Sequence, residues 1–74
     1  MLFRSSRAPL ALGMAADAYL RGRRVKDDEY LTILRARLYT DSPGLFANVV
    51  HHALGWDHDD AEDLWAMINL SALA

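Results

Sequence analysis

The feature that most constrains this chain is its length without a single cysteine: 74 residues must hold together with no disulfide and no thiolate metal site. A domain of this size hides only about 60% of the surface its unfolded chain exposes. Apolar burial then barely offsets an ordering entropy of about 1.5 kcal/mol per residue. Small domains close that gap with covalent cross-links, metals, or a second chain, and the first two routes through cysteine are shut. An unusually good core or oligomerisation remains. The residues are 53% hydrophobic and 24% charged, the balance of an ordered globular chain. So much apolar surface in so small an interior favours a homodimer. One domain spanning residues 1–74 is all the length allows.

Leu and Ala dominate, Val and Ile are few, and no segment alternates with period two, so the class is all-α. Start and stop signals divide the chain into four short helices, a small bundle completed on this reading by a second copy. The first is expected from Ala8 to Arg21, with Ser6 as N-cap, Pro9 in the first turn, Asp17 paired with Arg21 and Gly22 as its end. Gly13 inside it reads as a close-packing point. The second is expected from Asp28 to Tyr39, capped by Asp27, with Tyr30, Leu31, Leu34 and Leu38 as its apolar face. The third runs from Pro43 to Leu54, with Ser42 as N-cap and Gly55 as the residue that ends it. Its stripe is Leu45, Phe46, Val49, Val50, Ala53 and Leu54, and Trp56 is expected to fold back near Val50. The fourth runs from His58 to Ala72, capped by Asp57, with Ala61, Leu64, Trp65 and Ile68 as its stripe.

The first helix is apolar nearly all round, which calls for burial on more than one side. Leu10, Met14, Ala18 and Tyr19 are therefore the expected dimer interface. No apolar run approaches the ~20 residues of a membrane span. The basic start followed by Ala8–Leu20 resembles a signal sequence, but Asp17 interrupts it, and a cytoplasmic protein is expected. Seven Arg to one Lys, with abundant Ala, suits a GC-rich bacterial or phage genome.

Charge is segregated along the chain. All eight Lys and Arg residues lie at or before Arg37, against four acids there, a net of +4. The remaining residues carry six acids and no Lys or Arg, a net of −6. Three readings follow: the acids serve the dipole of the last helix, they face the chain's own bases, or they meet a foreign partner. The third gives the functional expectation of a non-enzymatic protein-interaction module, a small regulator or inhibitor. It would present Asp57, Asp59, Asp60, Glu62 and Asp63, with His52 and His58 beside them, to another protein with a basic surface.

Two alternatives compete. The Arg21, Arg23, Arg24, Lys26 cluster offers phosphate contacts. Against it, Pro43–Leu54 has no Lys or Arg with which to enter a DNA groove, and the residues after it are acidic. A metal site could draw on His51, His52, His58, Asp57, Asp59 and Asp60. Neighbouring His51 and His52 diverge by ~100° on a helix, and no His pair stands at i, i+4. Asp57, Asp59 and Asp60 lack the later ligands of a calcium loop. No catalytic or cofactor motif is present, so no cofactor is expected. Leu54-Gly55-Trp56 with Ala61-Glu62 and Leu64 resembles the turn and second helix of ubiquitin-associated domains. That likeness implies a further helix after the last one, for which few residues remain.

Overall fold

The computed structural model describes residues 12–73, with side chains through residue 69. Among them are four helices and no strand: α1 Met14–Gly22, α2 Asp27–Tyr39, α3 Pro43–Leu54 and α4 His58–Leu73. The principal helix contacts join α2 to α3, α3 to α4, and α4 to α1. In packing order the row is therefore α2, α3, α4, α1, with α3 and α4 inside and the other two at its ends.

Helix α1 is shorter than the sequence predicts, because Gly13 interrupts it rather than packing inside it. Its φ of 98° and ψ of 163° belong to a region that glycine enters freely and other residues do not. The expected start near Ala8, the Ser6 cap and the Pro9 first turn lie outside the described residues. Asp17 and Arg21 pair as anticipated, at 2.9 Å.

The helix also does not end through a left-handed Gly22. It closes in a Schellman motif two residues later. Val25 N–H donates to the Leu20 carbonyl at 3.1 Å and Arg24 N–H to the Arg21 carbonyl at 3.0 Å. The left-handed position falls on Arg24, at φ 61°. Of the two residues such a motif brings together, Leu20 belongs to the core cluster and Val25 is half-buried against it.

Helix α2 begins one residue earlier than expected. Lys26, in extended conformation, is the N-cap in place of Asp27. Lys26 N–H donates to Glu29 Oε1 at 3.0 Å, which is one half of a capping box. The core face of α2 also differs from the expected one. Ile33 and Ala36 are buried and Tyr30 and Leu34 partly so, while Leu31 and Leu38 are exposed. Its sequence has apolar residues on two sides, and only one side meets α3.

Helix α3 is capped as its sequence predicts: Ser42 Oγ accepts from Leu45 N–H, Pro43 opens the helix, and Gly55 ends it in the left-handed region at φ 77°. Its stripe is narrower than expected. Phe46, Ala47 and Val50 are buried, whereas Leu45, Val49 and Ala53 are exposed. Helix α4 buries Ala61, Leu64 and Ile68, with Trp65 half-buried against Phe46 at 5.3 Å between ring centroids. Leu12, Ala16, Leu20 and Trp56 complete the core.

Candidate protein-binding surface

Gly55 reverses the chain after α3 and directs Trp56 inward, where 7% of it remains exposed. Trp56 meets Tyr19 of α1 edge-to-face at 6.3 Å. Arg23, just past the end of α1, lies over the indole with its guanidinium carbon 3.9 Å from the ring centroid. The same guanidinium donates to Asp60 Oδ2 at 3.1 Å and to Tyr19 Oη at 3.4 Å. Desolvation works against its charge, and the hydrogen bonds to Tyr19 and Asp60 outweigh that, so its pKa rises above the ordinary value.

This node joins the two clusters that the sequence holds apart. Arg23 belongs to the expected basic loop and Asp60 to the expected acidic surface, and they touch across 37 positions of sequence. One pair of the segregated charges thus meets within the fold. The other acids do not: among the described residues, no Lys or Arg pairs with Asp57, Asp59, Glu62 or Asp63, and all four are exposed. They stand at and just after the α4 N-terminus, where the helix dipole favours negative charge. Asp57 contributes its backbone carbonyl there, accepting from Ala61 N–H at 3.1 Å.

The histidines lie beside this surface and are tied locally. His51 Nδ1 donates to the Trp56 carbonyl at 2.7 Å, and the His51 and His58 rings stack at 4.3 Å. His58 Nε2 is 3.0 Å from Asn48 Oδ1. His52 is exposed, in edge contact with His51. Among the described residues no group of three or more His, Cys, Asp or Glu side chains is placed to hold a metal ion. The metal alternative does not fit these positions. Two ring nitrogens are already engaged by a carbonyl and an amide, and the rings face one another instead of converging on a point.

The basic loop is divided in the same way. Arg21 is paired to Asp17 and Arg23 to Asp60, which leaves Arg24 and Lys26 exposed without an ion pair among the described residues. Two free cations beside an anionic helix end make a poor phosphate track. A shallow open cleft of about 170 Å³ beside them is lined by Asp17, Leu20, Arg21, Val25, Asp27 and Tyr30. It falls below the ~300 Å³ at which small-molecule sites begin.

Of the expected dimer interface, Met14 and Ala18 are exposed and Leu10 lies outside the described residues. Tyr19 is turned toward Trp56 and Arg23 and is half-buried there. The periodicity of the sequence carries no sign of the Arg23–Trp56–Asp60 contact, because it joins two turns to the polar first turn of α4 and involves no apolar helix face. The Gly55-Trp56 signature was the one local hint that this corner would be structured. No helix among the described residues is long and apolar enough to cross a membrane. No family model matches this chain, and neither a curated protein nor a solved structure is detectably similar to it.

Proposed function

We propose that this chain is a non-enzymatic binding module, a small regulator or inhibitor that docks the acidic start of α4 against a basic surface of another protein. The observation that carries this reading is the set of four carboxylates, Asp57, Asp59, Glu62 and Asp63, exposed and without an ion pair among the described residues. Asp57 immediately precedes, and the other three project from, a helix whose other face is locked into the core by Ala61, Leu64 and Ile68. Such a rigid anionic ridge steers a cationic partner and fixes its approach, an effect felt first in the association rate. Asp60 has a different duty on this reading. It holds Arg23, and through Arg23 the turn after α1, in place beside the ridge.

The test removes charge without removing shape. The triple variant Asp59→Asn, Glu62→Gln, Asp63→Asn should keep its helical circular dichroism and lose capture of the partner by the tagged protein in its native extract. The same variant retaining full capture, with wild-type affinity by calorimetry, removes the reading.

A further inference from the structure

Helix α2 lies at one end of the helix row and makes its principal contact with α3 alone. Ile33 and Ala36 mark the side that it buries. On the opposite side, at 100° per residue, fall Asp28, Leu31, Arg35 and Leu38, with Tyr39 at the margin. Their spacing of three, four and three residues is that of a two-helix seam. The large side chains on it are open to solvent: Leu31 is 55% exposed, Leu38 71% and Tyr39 84%. Exposed aliphatic and aromatic groups concentrated on one helix face mark an interaction surface.

The charges on this seam say what covers it. Asp28 stands in the first turn and Arg35 two turns later, and Arg35 has no ion pair among the described residues. A second α2 laid parallel would set Asp28 near Asp28 and Arg35 near Arg35. Laid antiparallel and centred at the level of Ile33, it sets Leu31 of each helix opposite Arg35 of the other and Leu38 opposite Asp28, which puts each Asp28 within one turn of Arg35 on the other helix. The two helix dipoles then also oppose. The pattern is self-complementary under a two-fold axis, which is the requirement of an isologous dimer.

We infer that the outer face of α2 is a homodimer interface, formed by antiparallel pairing of Asp28, Leu31, Arg35 and Leu38 with the same residues of a second copy. This surface is at the opposite end of the row from α1, where the sequence placed the dimer contact. It is independent of the acidic ridge on α4.

Charge reversal tests both the occupant and its direction. Sedimentation equilibrium of the full chain should give twice the 8.3 kDa chain mass. Arg35→Glu and Asp28→Lys, each alone, put like charges across the axis and should raise the dimer dissociation constant ~10-fold or more. Mixing the two variants restores opposite charges at both contacts of a heterodimer and should recover the dimer mass. Leu38→Ser, which removes apolar contact and no charge, should also dissociate it. Melting curves establish that each variant is folded. A single-chain mass at every concentration overturns the inference. So does a dimer indifferent to Arg35→Glu and Leu38→Ser, or a mixture that fails to reassemble.

Discussion

Arg24 occupies the position where a helix of this kind ordinarily ends on glycine. Its φ of 61° costs an L-residue about 1 kcal/mol or more, and the Schellman hydrogen bonds of Val25 and Arg24 hold it there. The sequence offers a glycine two positions earlier, and reading Gly22 as the stop was the natural error, since composition cannot tell which residue of a turn takes positive φ. Arg24→Gly relieves that conformation and loosens the unfolded chain a little, for a net gain of roughly 0.5–1 kcal/mol. A urea titration should show a higher midpoint with an unchanged slope. The mirror experiment is Gly55→Ala, at φ 77° with open space around its Cα, which should destabilise by about 1 kcal/mol through the backbone alone. If Arg24→Gly lowered the midpoint, the Arg24 side chain would be making a contact worth more than the backbone relief.

At the scale of the helix, punctuation was more legible than facing. Ser42, Pro43 and Gly55 bound α3 where the sequence put them, because caps are local hydrogen-bond chemistry. Which side is buried depends on neighbours, and the α2 and α3 sequences carry apolar residues around more than half of their circumference. The sequence therefore points to Leu31 and Leu38 on α2, which are exposed, and on α3 to Leu45 and Val49 alongside the truly buried Phe46 and Val50. The structure buries Ile33 with Ala36, and Phe46 with Ala47 and Val50. Helix α4, with acids covering its outer side, left no such choice, and its stripe was read correctly. Ala47 is the sharpest probe of the α3 facing, because it is fully buried while Ala53 on the same helix is exposed. Ala47→Leu should overpack the core and cost about 1–3 kcal/mol, whereas Ala53→Leu should change the melting temperature little. Equal effects at the two positions would mean that α3 is rotated from the orientation described.

Over the whole molecule, the segregated charges make one clasp and leave one ridge. The clasp is Arg23, and its two attachments differ in kind. Its ion pair with Asp60 joins side chains that are 34% and 39% exposed, so water and salt screen most of that attraction, leaving about 0.2–1 kcal/mol. Its stacking on Trp56 covers an aromatic ring that would otherwise meet solvent, and that packing term resists salt. The expected order in urea denaturation is therefore Arg23→Ala more damaging than Asp60→Asn. In 1 M salt the Asp60→Asn deficit should shrink toward zero, while most of the Arg23→Ala deficit persists. The reverse order would make the corner an electrostatic latch, and partner charge at the neighbouring ridge would then compete with Arg23 for Asp60. With the order expected, ionic strength separates the two duties of the acidic segment. Docking through Asp57, Asp59, Glu62 and Asp63, as proposed, should weaken as salt rises, while the scaffold that carries those side chains should stay folded.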